Sequence, residues 1–308
     1  MRQACLKTVY ELAKKNKKVI FIGSDLGPGV LDDFKKHYPD RFLMEGVAEQ
    51  SIIGLAAGLA FENFRPYVNT IATFITRRCF EQVVVDLCVH NLPVTLIGNG
   101  GGLVYAPLGP THQAIEDISI MRVLPNLTII SPSDAHEMKI LMKQSIKLKG
   151  PLYVRIARGG EEIINNKRDK IKIGKGLLKK KPGKLLFIST GVMTQKVLEA
   201  SEELNKKYGI NSGVLHLGTI KPLDKKILKH WLPKVEKVIT VEENILEGGF
   251  GSSILEFVNI YLKNTKIEIK RIGLPNKFVD KYGSQDELHN YYKLNSKNIV
   301  KIAKKMIK

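Results

Sequence analysis

Cysteine is scarce in this 308-residue chain. Its three cysteines, Cys5, Cys79 and Cys88, share no metal-ligand spacing, and two of them fall in an apolar helical pattern. They read as buried, reduced thiols of a cytoplasmic protein, not as a disulfide framework. No run of about 18 apolar residues occurs, which argues against a membrane span. Met1-Arg-Gln-Ala-Cys-Leu-Lys-Thr8 lacks the apolar core and small-residue cleavage site of a signal peptide. Acidic residues are outnumbered, 30 against 49 Lys and Arg, giving a net charge of +19. The excess is mostly lysine, densest at Lys143–Lys149, Lys167–Lys184 and Lys304–Lys308, and no aromatic residues interleave with it as a nucleic-acid platform requires. It reads as a solvated surface, with no nucleic-acid partner. Three catalytic signatures are also missing. No Gly-x-Gly-x-x-Gly opens a helix, no Walker-type lysine loop exists, and no Gly-x-Ser-x-Gly elbow presents a serine. Nicotinamide, nucleoside-triphosphate and serine-hydrolase chemistry are poorly supported.

What is present suits two α/β domains. Continuous apolar runs at Val19–Gly23, Val94–Gly98 and Leu152–Ile156 predict buried parallel strands, with shorter strands at Phe42–Met44, Pro66–Asn69 and Leu127–Ser131. Helices predicted over Gln3–Lys15, Ala48–Ala60, Phe74–Val89, Ala114–Arg122 and from Asp134 alternate with them, implying a parallel sheet covered on both faces. After a lysine-rich break the pattern restarts, with strands at Leu185–Ser189, Gly213–Leu217, Val238–Val241 and Ile267–Ile272. The expected division is a first domain over 1–165, a linker over 166–184 and a smaller α/β domain over 185–308. Open sheets place sites at the carboxyl ends of their strands. Ser24 and Asp25, Glu49, Phe74 with Arg77, and His112 all fall there. His112 ends a glycine- and proline-rich loop of the kind that carries function, from Asn99 onward.

Glu49 heads the Ala48–Ala60 helix, in which nearly every residue is apolar or small, so the helix should be buried on all sides. A carboxyl in apolar surroundings either finds a partner or holds its proton more tightly. The bland reading is an acid favoured by the helix dipole in the first turn.

Several motifs in order carry a resemblance. Gly46-Val-Ala-Glu-Gln50, Ala72-Thr-Phe-Ile-Thr-Arg77, Gly109-Pro-Thr-His-Gln113 with Glu116 and Asp117, and Ser131-Pro-Ser-Asp134 resemble the pyrimidine-binding domain of transketolases and deoxyxylulose-phosphate synthases. Thr219-Ile-Lys-Pro-Leu-Asp224 and Val241-Glu-Glu-Asn244 with Glu247-Gly-Gly-Phe-Gly251 are similar to the same family's C-terminal domain. The resemblance covers essentially the whole chain. It implies that Glu49 hydrogen-bonds the aminopyrimidine of thiamine diphosphate, that Phe74 stacks on that ring, and that Phe80 extends the pocket. It further implies that Ser24 and Asp25 approach the cofactor, that His112 faces substrate, and that Arg158 grips a sugar phosphate through its bidentate fork. Arg77 is a second phosphate candidate, and Arg155 reads as a structural salt bridge. His216, His230 and His289 carry no signal beyond surface or core.

The family's diphosphate-binding module, with its Gly-Asp-Gly and Asn around Mg²⁺, has no counterpart here. The chain therefore resembles the C-terminal subunit of a split transketolase. This implies a separate N-terminal, diphosphate-binding subunit that supplies the Mg²⁺ ligands, and a heterotetramer of two copies of each chain. The implied reaction moves a two-carbon ketol unit from a ketose or ketose phosphate to an aldehyde. The alternatives are the beta subunit of a 2-oxoacid dehydrogenase and a deoxyxylulose-phosphate-synthase-like enzyme. One departure stands out: the aspartate that reads substrate hydroxyls in transketolases is replaced by Leu108, with Tyr105 as a substitute contact. An alkyl group cannot replace an acid that pairs with hydroxyls, so a deoxy, modified or less hydroxylated sugar is expected.

Overall fold

The computed structural model describes residues 1–23, 29–44, 46–157, 159–263 and 265–307. The first sheet comprises β1 (Val19–Gly23), β2 (Phe42–Met44), β3 (Arg65–Ile71), β4 (Thr95–Asn99), β5 (Thr128–Ile130) and β6 (Leu152–Ile156). The second contains β7 (Leu177–Lys180), β8 (Leu185–Ser189), β9 (Ser212–His216), β11 (Lys237–Ile245) and β12 (Glu268–Leu274), while β10 (Thr219–Lys221) crosses back to the first. Every residue of β1, β4, β6, β8 and β9 is buried, as continuous apolar runs between two helical layers must be. The orders are β10-β5-β6-β4-β3-β1-β2 and β12-β11-β8-β9-β7. All pairings are parallel except β10 with β5 and β7 with β9. From β1 the chain steps outward to β2 and then returns to β3 on the other side of β1. Strand order reverses there, and open sheets collect ligand sites outside the carboxyl ends at such a point.

Three elements differ from the sequence expectation. The stretch 166–184, expected as a linker, carries β7, whose Leu177-Leu178 pair meets β9 before the lysines begin. Thr219–Lys221, inside the expected second domain and read there as a loop, forms β10 and pairs with β5 of the first, so the two sheets are laced together. The Glu49–Phe61 helix is not buried all round. Ile52, Ile53, Ala56, Ala57 and Ala60 face the core, but Ser51, Gly54, Leu55, Gly58 and Phe61 form an exposed stripe at helical spacing.

The two halves share one core and a polar seam. The core runs from Ile53, Val68 and Leu96 to Leu186, Ile188 and Leu215. Across the seam, Arg155 on β6 donates from Nε to Asp117 Oδ2 at 2.8 Å, and from Nη2 to the carbonyls of Ala114 at 3.2 Å and Glu243 at 2.9 Å. Tyr153 OH also donates to Asp117 Oδ2, at 2.8 Å. The Glu243 carboxylate, on β11, accepts from Leu103 N, Gln285 Nε2 and His289 Nε2. This approach requires a glycine at 102: a Cβ there would lie 2.4 Å from Glu243 Cδ, and its φ of +73° is unfavourable to other residues. A second bolt joins His216 Nε2 on β9 to Glu137 Oε2 in the Ala135–Ser145 helix, at 2.9 Å. The pairing of Arg155 was anticipated; the roles of His216 and His289 were not.

Removing Asp117 would strand the buried Arg155 guanidinium, at a cost of about 3–5 kcal/mol. Asp117→Ala is expected to lower the urea midpoint accordingly, and a midpoint within error of the unmodified chain would contradict this role. A pH effect follows from His289. Burial alone lowers its pKa, but the Glu243 carboxylate prevails and holds it above the ordinary value. Glu243, against the opposing effect of its own burial, is held below the ordinary carboxylate range by His289. The histidine's contribution is thus fully present below about pH 6.5 and is lost as pH rises through its raised value. Glu243's contribution fades at the other end, as pH falls through its depressed value. Melting temperature should fall on raising the pH above about 6.5, and His289→Gln should flatten that slope.

Candidate active site

Three carboxyl strand ends converge on one region. The loop after β2 delivers Glu49, the turn after β3 delivers Phe74, and the loop after β4 runs from Asn99 to His112. The backbone leading to Glu49 is strained: Val47, a β-branched residue, has φ of 57° and is 74% exposed. Such strain collects at functional sites. Glu49 itself is 2% exposed and begins the Glu49–Phe61 helix. Its Oε2 accepts from Arg78 Nη1 at 2.5 Å. The same guanidinium lies over the Phe74 ring, with Cζ 4.0 Å from the centroid. The expected helix over Phe74–Val89 is broken into two π-helical stretches, Phe74–Arg78 and Val83–Val89, flanking the short turn Phe80–Gln82. π-Turns are also frequent at functional sites.

His112 packs edge-on against Phe74, with ring centroids 5.2 Å apart, so His112, Phe74, Arg78 and Glu49 form one contiguous chain of contacts. His112 Nδ1 lies 2.8 Å from Thr111 Oγ1. Desolvation, then the positive charges of Arg77 and Arg78, hold its pKa below the ordinary histidine value, leaving a neutral imidazole at pH 7. Arg77 is engaged by its own side of the site. Its Nε pairs with Glu116 Oε1 at 3.0 Å, and its Nη2 donates to the carbonyls of Pro110 and Thr111. It therefore fastens the Gly109–Gln113 turn. Tyr105 sits 6.5 Å from His112 between ring centroids and lines a cleft of about 390 Å³ with Leu108, Asn99, Gly100, Arg2 and Gln285. Burial raises the Tyr105 phenol, against the positive charge of Arg2. Leu108 is exposed and presents only an alkyl wall to that cleft.

Phe80 is half-buried and packs against the core cluster that contains Ile53 and Cys79. Ser24, Asp25 and Arg158 lie outside the described residues. Two further residues were not singled out from the sequence. Asn99, 1% exposed, donates to Asn69 Oδ1 and the Thr70 carbonyl, yet its own Oδ1 has no partner among the described residues and it lines the cleft. The available signal was a polar residue closing an otherwise apolar strand. Arg78 was overlooked beside Arg77, because a pair of arginines does not reveal which way each points. The three cysteines are free and buried, as expected. No helix among the described residues is long and apolar enough to cross a membrane.

Comparison with known proteins identifies the family of the fold. The family model of the transketolase pyrimidine-binding domain matches residues 1–160, and that of the transketolase C-terminal domain matches 174–299. A 1-deoxy-D-xylulose-5-phosphate synthase of Caldanaerobacter subterraneus subsp. tengcongensis is 38% identical over 95% of this chain and 46% of its own length. The enzyme of the same name from Halothermothrix orenii is 36% identical over 98% of this chain and 47% of its own. The chain thus spans about half the length of the curated relatives it matches. A solved structure described as a split gene transketolase, inactive beta4 tetramer, matches with a TM-score of 0.89 at 30% identity, over 99% of this chain and 97% of that one. The chain belongs to the transketolase family and carries that family's pyrimidine-binding and C-terminal domains.

Proposed function

We propose that this chain is the pyrimidine-binding subunit of a transketolase-type transferase, moving a two-carbon ketol unit from a ketose or its phosphate to an aldehyde with thiamine diphosphate. The observation that carries the reading is the contiguity of Glu49, Phe74 and His112 at the strand ends. The pyrimidine end of the cofactor fits the residues present. Glu49 and Phe74 already hold a flat, nitrogen-rich cation between them, the Arg78 guanidinium, and a planar aminopyrimidine has a similar face and ring nitrogens able to share a proton with a carboxyl. The diphosphate end has no such cradle among the described residues, where no group of three or more His, Cys, Asp or Glu is placed to hold a metal ion. The proposal assigns that end, with its Mg²⁺, to a second chain. Two copies of each chain, as a heterotetramer, would complete the sites, and the apolar stripe from Ser51 to Phe61 is the surface on this chain for that assembly.

When bound, thiamine diphosphate supplies a carbon nucleophile and an electron sink. The protein's part is narrower. Glu49, enclosed from water, would share a proton with a nitrogen of the ring. Phe74 fixes the ring plane. His112, kept neutral, is able to accept or donate one hydrogen bond at a substrate hydroxyl. Arg77 holds the His112 turn, and Arg158 is assigned to a substrate phosphate on the motif alone. A second reading, a deoxyxylulose-phosphate-synthase-like activity, is favoured by the names of the relatives and by the alkyl wall at Leu108.

Three outcomes test this. In the complex reconstituted with a diphosphate-binding chain, Glu49→Gln should lower kcat at least a hundredfold with the fold intact, the scale of a lost acid–base group; full turnover would refute the assignment. The acid limb of the rate profile due to His112 should lie below about pH 6.5 and disappear in His112→Gln. Because Leu108 cannot pair with a hydroxyl, ordinary pentose phosphates should turn over poorly, and Leu108→Asp should improve them. Product analysis decides between the readings: 1-deoxy-D-xylulose 5-phosphate as the product favours the second.

A further inference from the structure

We propose that Arg78 is a latch that fills the pyrimidine slot of the free chain and must swing out before the cofactor ring can enter. This rests on the reading of Glu49 and Phe74 as the pyrimidine site and goes one step beyond it. Both groups assigned to the ring are occupied by one side chain. Arg78 Nη1 lies 2.5 Å from Glu49 Oε2, and its Cζ stands 4.0 Å above the Phe74 centroid. A ring stacked on Phe74 and bonded to Glu49 needs that same volume, so the two occupants exclude one another.

The latch is able to open. Glu49 is almost wholly enclosed, with its side chain 2% exposed, whereas the Arg78 side chain is 41% exposed. The guanidinium therefore closes the mouth of the slot and has solvent on its outer side. Its backbone is fixed independently, since the Arg78 carbonyl accepts from Gln50 Nε2 at 3.1 Å. Only side-chain torsions need change. Its neighbour Arg77 is spent on Glu116 and the Pro110–Thr111 carbonyls, so it does not replace Arg78 at Glu49.

Two consequences follow. A closed latch gives the buried Glu49 carboxylate a counter-charge while the slot holds no ring, so the free chain does not carry an unpaired buried acid. It also weakens ring binding by the fraction of chains that are open, since apparent affinity scales with the competent population. A chain without a diphosphate-binding partner would then bind the ring poorly. Cofactor anchored at its other end by that partner would compete more effectively for the slot.

The test uses the full-length chain alone and 4-amino-2-methylpyrimidine, a probe without thiamine's fixed positive charge, so that relief of charge repulsion does not mimic relief of blockage. Ligand-observed NMR should give about tenfold tighter binding for Arg78→Gln than for the unmodified chain, equivalent to about 1.4 kcal/mol. Arg78→Lys, which keeps the charge but not the planar face, should fall between them. In the unmodified chain, the guanidinium ¹⁵N signals of Arg78 should move toward those of an exposed arginine as probe is added. Equal or weaker binding by Arg78→Gln, no detectable binding by either, or Arg78 signals that stay put would overturn the latch. Adding Phe74→Ala to Arg78→Gln separates the two proposals. If probe binding depends on Phe74 but not on Arg78, the latch alone fails; if it ignores both, the pyrimidine site fails with it.

Discussion

The geometry of the site depends on a buried cation that takes no part in it. Arg155 stands on β6 between the two sheets and is satisfied only by groups from both: Asp117 and the Ala114 carbonyl on one side, the Glu243 carbonyl on the other. A guanidinium in that position must be fully bonded or it is costly. Both the loop from Asn99 to Asp117 and strand β11 are therefore held at fixed distances from it. Leu103 N, donating to Glu243, ties down the start of the same loop. With its two ends fixed in this way, the glycine- and proline-rich loop between them presents His112 at a definite place against Phe74.

Much of the fold was legible because the parallel strands are buried on both faces. An element with no solvent side has no polar positions, so Val19–Gly23 or Leu185–Leu186-Phe187-Ile188 stands out as a run with nothing to interrupt it. The antiparallel edge strands were less legible. Strand β7 has only Leu177 and Leu178 before its lysines, because an edge strand needs one covered face and tolerates charge on the other. Strand β10 is three residues long, and nothing in Thr219-Ile220-Lys221 states that it pairs with β5 and not with its sequence neighbours.

The side chains at the strand ends were legible as a set but not as pairs. Glu49, Phe74, Arg77, Tyr105 and His112 do gather at the strand ends. The direction of each arginine was invisible. Residues 77 and 78 are the same amino acid in sequence, yet one fastens the His112 turn and the other meets Glu49 over the Phe74 ring. The argument from burial at Glu49 was incomplete for the same reason: an apolar helix predicts an enclosed carboxyl, but only the fold reveals the cation that meets it. Residues that strain the backbone are similarly silent, since nothing about Val47 in the sequence signals a left-handed conformation.

The Glu49–Phe61 helix carries Glu49 at its start and two faces with different surroundings. One face, Ile52 to Ala60, is needed for the core; the other, Ser51, Gly54, Leu55, Gly58 and Phe61, is exposed, with the Phe61 ring resting edge-on against His90. Gly54 and Gly58 lower helix propensity by about 1 kcal/mol each relative to alanine. A Cβ added at Gly58 would meet nothing and one at Gly54 only Asp86 Oδ2 at 3.9 Å, so the surface beside Leu55 is open to close approach by a second backbone. Because Glu49 opens this helix, anything that covers the stripe also approaches the mouth of the slot that Arg78 closes. Drying that mouth strengthens every charged contact within it. On the proposed latch, competition between Arg78 and a ring for Glu49 would then be decided in a different medium in any such assembly, without any change in the residues that compete.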